Sequence, residues 1–113
     1  MRVKLMIAVV CLCLSTGAVA GGSSITSKVK EVHVRASDGL HWVVMTTPPS
    51  GRPDCGSRQP YYMIKDEHSD AGKAQFAMLL SAQLSGNSVT IDGAGACSRW
   101  GDGEDIEHVM LAQ

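Results

Sequence analysis

Aromatic residues are scarce in this chain of 113 residues: two Trp, two Tyr and one Phe. With so few, and with 10 Lys and Arg against 11 Asp and Glu, there is no interleaved aromatic and basic surface of the kind single-stranded nucleic acid requires. An excess of positive charge is also missing, which argues against nucleic acid or anionic lipid as a partner. Long apolar runs are absent apart from Leu5 to Leu14. That run is about half the ~20 residues of a membrane-spanning helix, so membrane insertion is not expected. No serine stands in a Gly-x-Ser-x-Gly context, and nothing in the chain calls for nucleophilic catalysis or a cofactor.

What the first residues do contain is an export signal. Arg2 and Lys4 form a basic start, the apolar run follows, and Ala18-Val19-Ala20 has the small-x-small form of a cleavage site. Val10 and Leu12 precede Cys11 and Cys13, which disfavours lipid anchoring. The expected organisation is therefore a cleaved signal peptide over residues 1–20 and a single domain over residues 21–113, secreted or periplasmic. Removal of residues 1–20 takes Arg2 and Lys4, so Lys plus Arg falls from 10 to 8 against 11 acidic residues, and the net charge moves from -1 to -3. Cys55 and Cys97 are the cysteines that remain. In an oxidising compartment one disulfide between them is the expectation, closing a loop that stabilises a small domain by about 4 kcal/mol. Zinc is the alternative use of two cysteines, but neither has a second Cys or a His close by in sequence.

Gly21 to Ser27 reads as a small, polar, flexible lead-in. Val29 to Arg35 and Leu40 to Thr47 read as two strands, joined by a three-residue loop, Ser37-Asp38-Gly39, that pairs Val34 with Trp42 and Val32 with Val44. A Pro- and Gly-rich loop from Thr47 to Pro60 carries Cys55, and Tyr61 to Lys65 is a short third strand. The period then becomes helical, with Phe76, Ala77, Leu80 and Leu84 on one stripe, Ser69 or Asp70 at the N-cap and Gly86 at the C-terminal end. Ser88 to Asp92 and Ile106 to Leu111 are the fourth and fifth strands, with Val109 and Leu111 on one face and Ile106, His108 and Met110 on the other. They flank a loop that holds Cys97, Arg99, Trp100, Asp102 and Glu104. The chain is thus mainly β with one helix, and its order β-β-β-α-β-β is that of a five-stranded OB-fold-like barrel.

Four histidines are the candidate bases or ligands. His33 and His41 read best as exposed strand residues, and His68, within Asp66-Glu67-His68-Ser69-Asp70, as part of a solvated acidic loop at a helix start. Asp102-Gly103-Glu104-Asp105 lacks the alternating ligands of a calcium loop. The stronger signal is for binding. In OB-folds the loop between the last two strands borders the ligand face, and here it offers Trp100 as a plate for a sugar ring, with Arg99, Asp102 and Glu104 to bond hydroxyls. The competing reading has Trp100 covering the disulfide or closing the barrel end, and Trp42 in the core.

Tyr62-Met63-Ile64-Lys65-Asp66-Glu67, Leu79-Leu80-Ser81-Ala82 leading to Ser85-Gly86, Val89-Thr90-Ile91, and Cys97-Ser98-Arg99-Trp100 through Gly103-Glu104-Asp105-Ile106 resemble a group of small uncharacterised exported bacterial proteins. More distantly, the organisation is similar to the B subunits of pentameric AB toxins of the subtilase-cytotoxin type. That resemblance implies a disulfide-linked OB-fold, a homo-oligomer in the form of a pentameric ring, and a glycan or glycoprotein receptor. In those toxins a catalytic A subunit accompanies the ring; nothing in this chain specifies one. The expected function is an exported, non-catalytic recognition module, with a protein-binding inhibitor or assembly factor as the alternative.

Overall fold

The computed structural model describes residues 22–112; the signal peptide expected over residues 1–20 lies outside them. Five strands, β1 (Ser24–Val34), β2 (His41–Met45), β3 (Tyr61–Met63), β4 (Ser88–Gly93) and β5 (Glu104–Met110), close into a barrel in the order β1-β2-β3-β5-β4. One helix, α1 (Asp70–Ser85), lies between β3 and β4 in sequence. Every pairing is antiparallel except β3 with β5, where Tyr62 faces Glu104 and Met63 faces Asp105. This is the OB-type Greek-key barrel expected from the order of elements.

Closure depends on the length of β1. Its first half, Ser24 to Lys28, pairs with β4, and its second half, Val29 to Val34, pairs with β2 across an irregularity between Val29 and Glu31. The segment expected to be a flexible lead-in is therefore strand, and Ser23 just before it is buried. Alternation of Ile25, Ser27 and Val29 inward with Ser24, Thr26 and Lys28 outward is the period-2 pattern of a half-buried strand. Ser and Thr supply the outward positions, which hides the strand from a reading that looks for Val and Ile.

The β1–β2 hairpin departs from expectation by one residue. Its loop has four residues, 36–39, closed by the Arg35 amide donating to the Leu40 carbonyl at 2.9 Å and the Gly39 amide to the Arg35 carbonyl at 2.8 Å. Gly39 takes φ 72°, the left-handed region glycine enters without cost. Val34 consequently faces His41, His33 faces Trp42, and Val32 faces Val43. A one-residue slip exchanges the faces of a strand: Val43 and Met45 enter the core, whereas Trp42 turns outward beside His33, and Val34 is 57% exposed.

Two further faces differ from the sequence reading. On α1, Leu79 and Ala82 join the core while Ala77, Leu80 and Leu84 are exposed. Apolar residues are spread almost evenly around this helix, so periodicity does not select the buried side, which carries Gly72, Leu79 and Ala82. The helix begins at Ser69, whose Oγ accepts from the Gly72 amide at 3.0 Å, and ends on Gly86 at φ 71°. In β5, a register shift opposite Asp92 and Gly93 lets Ile106 and Val109 both point inward, and Leu111 lies beyond the strand and exposed.

The disulfide joins Cys55 to Cys97 across 42 residues, with Cα atoms 6.2 Å apart. It fastens the long β2–β3 loop, which carries a short 3-10 turn at Asp54–Gly56, to the β4–β5 loop.

Candidate functional site

Register places a row of rings on the outer face of the β1–β2–β3 sheet. His33 stacks on Trp42 with centroids 4.7 Å apart and planes 5° from parallel. Arg35, two residues further on and just past the end of β1, puts its guanidinium carbon 5.8 Å from the Trp42 ring and 4.7 Å from the Trp100 ring. The order His33, Trp42, Arg35, Trp100 is thus continuous from the sheet to the β4–β5 loop. Both arginine distances lie within the range of cation–π attraction. Between the tryptophans is a cleft of about 230 Å³, lined by Arg35, Leu40, Trp42, Tyr61, Met63 and Trp100.

The loop that presents Trp100 is held at several points. Asp105 is buried and accepts from the Ser98 amide at 2.9 Å, the Arg99 amide at 3.1 Å and the Ser98 hydroxyl. Arg99 donates Nε to both Glu67 oxygens at 3.1 and 3.0 Å, and Nη2 to Glu67 at 2.5 Å and to the Asp38 carbonyl at 3.0 Å. One guanidinium thereby connects the loop to the β1–β2 hairpin and to the segment before α1. Its hydrogen bonds hold the Glu67 carboxyl below its usual range. Asp102 accepts from the Tyr61 hydroxyl and from Gln59 Nε2 at 3.1 Å. Burial, with Asp102 adding to it, pushes the Tyr61 phenol up to about 12.

Of the four residues expected to meet a ligand, Trp100 alone offers an open ring, 39% exposed. Asp102 sits at the rim through Tyr61, and Arg99 acts as a fastener. Glu104 is not on this surface. It starts β5 pointing inward and is fully buried. Its carboxylate accepts from Ser23 Oγ at 2.5 Å, the Ser23 amide at 3.2 Å and the Gly95 amide at 3.0 Å, and pairs with Arg52 Nε at 3.4 Å. A Cβ on Gly93 would lie 2.1 Å from Glu104 Oε2, so the carboxylate occupies space only glycine leaves. Arg52 also donates to the carbonyls of Tyr61, at 2.5 Å, and Gln59, and lies 4.3 Å from the Tyr62 ring centroid.

Sequence reasoning passed over Arg35, Trp42, Tyr61 and Met63. The hairpin register would have revealed the first two, since a four-residue loop sets His33 and Arg35 on the Trp42 face. Of the remaining histidines, His68 is exposed ahead of α1 and only its amide is bonded, to Asp66 at 3.0 Å, whereas His41 and His108 have side-chain partners. His41 Nδ1 meets the Gly39 carbonyl at 2.6 Å and its ring packs edge-on against Phe76, while His108 and Ser24 both bond Asp92. With the aspartate between the serine and the histidine, the imidazole does not reach the hydroxyl, and the order is not that of a Ser-His-Asp relay.

Comparison of the chain with family models, with curated proteins and with solved structures finds no match. Among the described residues no helix is long and apolar enough to cross a membrane.

Proposed function

We propose that the protein is an exported, non-catalytic recognition module that binds a glycan or glycosylated receptor, as an oligomer resembling a toxin B-subunit ring. The observation that carries this reading is the cleft between Trp42 and Trp100. It lies on the sheet face and beside the loops through which OB-barrels take oligosaccharides. Flat aromatic faces match the C–H surface of a pyranose, and about 230 Å³, below the ~300 Å³ where drug-sized pockets begin, suits one ring at the end of a chain. The fastening of Trp100 by Arg99, Asp102 and Asp105 means that little side-chain or loop freedom is lost on binding.

Exposed Leu80, Leu84, Met110 and Leu111 support a contact with protein as well, which fits either subunit assembly or the alternative of an inhibitor or assembly factor. Light scattering coupled to size exclusion separates the two: an oligomer near five subunits supports the ring, and a monomer removes it. Glycan-array binding by the wild type that is lost in Trp100→Ala, with an unchanged far-UV spectrum, supports the cleft. Failure to bind any glycan across a broad array defeats it.

A further inference from the structure

We infer that the cleft selects an uncharged sugar ring and discriminates against acidic ones; this rests on the glycan reading of the site. Arg35 is the cation within the cleft, and its Nε and Nη2 are engaged by the two Asp38 oxygens at 3.0 and 2.7 Å. This pair occupies one of the two edges through which a guanidinium takes a carboxylate bidentately. One face of the same guanidinium is covered by Trp100. Asp38 is further fixed by the Leu40 amide at 3.2 Å, and the Arg35 hydrogen bond holds its carboxyl at about 2, so it stays ionised and in place through the physiological range.

The charges around the rim are matched in the same way. Arg99 is committed to Glu67, and Asp102 is an anion facing the site through Tyr61. Asp38 and Asp102 would both repel an acidic sugar, and the net charge of -3 on residues 21–113 adds to that repulsion. What remains for a ligand is directional and neutral. Among the described residues Nη1 of Arg35 has no partner and can donate, the Asp102 carboxylate keeps lone pairs to accept from hydroxyls, and the exposed part of the Trp100 ring provides an apolar face beside Trp42. A neutral pyranose uses all three. A uronate or sialate finds the Nε/Nη2 edge of Arg35 already taken by Asp38 and would have to approach Nη1 beside that carboxylate.

The test compares oligosaccharides that differ only in the terminal ring, neutral hexose against the corresponding uronate, and a sialylated against a desialylated chain, by array and calorimetry at low and at about 0.5 M salt. The expected result is binding of the neutral member at least tenfold tighter, an affinity that changes less than about twofold with salt, and a gain in acidic-glycan binding in Asp38→Asn. Preference for the acidic member, or binding that falls steeply with salt, overturns this inference and leaves the glycan reading standing. Binding to neither class overturns the glycan reading and this inference with it.

Discussion

Arg52 and Glu104 form an ion pair inside the barrel: their side chains are 3% and 0% exposed and stand 3.4 Å apart. The pair links the Pro- and Gly-rich loop to the first residue of β5, and every polar atom of the arrangement has a partner, through Ser23, Gly95, Tyr62 and the carbonyls of Gln59 and Tyr61. Removing one member of such a pair leaves a charge buried without compensation, at a cost of about 3–5 kcal/mol. Arg52→Ala is expected to lose that much in urea unfolding, and Glu104→Gln in the same background to restore part of it. A loss under about 1 kcal/mol in Arg52→Ala would contradict the pairing.

The disulfide acts on the same loop from the other side. Cys55 and Cys97 close 42 residues, and Gly56 beside Cys55 packs against Glu104 and Cys97. Replacing both cysteines by serine is expected to lower stability by about 4 kcal/mol in the chain-entropy account. Denaturation midpoints equal to wild type would show that the loop is held by Arg52 alone.

Asp38 gives a pH signature for the hairpin. Its carboxyl is lowered from 3.8 to about 2, first by the Arg35 hydrogen bond. A carboxyl depressed in the folded state stabilises above its unfolded pKa and ceases to do so as pH falls through its folded one. That contribution is present at pH 4 and above and vanishes toward pH 2. Carbon-detected NMR titration should place the Asp38 midpoint at about 2 in the wild type and move it upward in Arg35→Ala. An unshifted wild-type midpoint would mean the pair does not persist in solution, and the charge inventory of the cleft would fail with it.

At the alkaline end both tyrosines report. Tyr61 is raised to about 12 by burial and by Asp102, and Tyr62 is raised by burial. Raised phenols confer stability below their unfolded pKa of about 10 and lose it as pH climbs through the folded value. Absorbance at 295 nm should therefore show Tyr61 still protonated at pH 10.5, and Tyr62 ionising later than a free tyrosine, while the far-UV spectrum is native. Half-ionisation of Tyr61 at pH 10 in the folded protein, assigned by its absence in Tyr61→Phe, would contradict the Tyr61–Asp102 contact.

Much of the fold is legible in the sequence because its signals are local. Ser69 and Gly86 mark both ends of α1, Val89 and Ile91 mark β4, and Cys55 and Cys97 suggest a bridge; each of these appears in the structure as read. The cleft was half legible: Trp100 stands out by its loop, but its companions depend on register. One extra residue in the 36–39 loop carries Trp42 out of the expected core and delivers Arg35 to the space between the rings. Glu104 shows the opposite failure. A carboxylate in a polar, Gly-rich segment reads as a surface group, and its burial follows from Arg52, Ser23 and the bare backbone of Gly93, all distant in sequence. Nor does any pattern along α1 announce which face is covered, because apolar residues occupy most of its circumference.

The central claim is that ligand is held between two tryptophans, and the chain contains only those two. Their indole N–H groups therefore give two proton–nitrogen NMR signals, assignable with Trp42→Phe and Trp100→Phe. Titration of the isotope-labelled protein with a neutral oligosaccharide that binds on the array is predicted to shift both signals together, along with the amides of Arg35 and Tyr61. Saturable binding that leaves both indole signals unmoved would contradict the account.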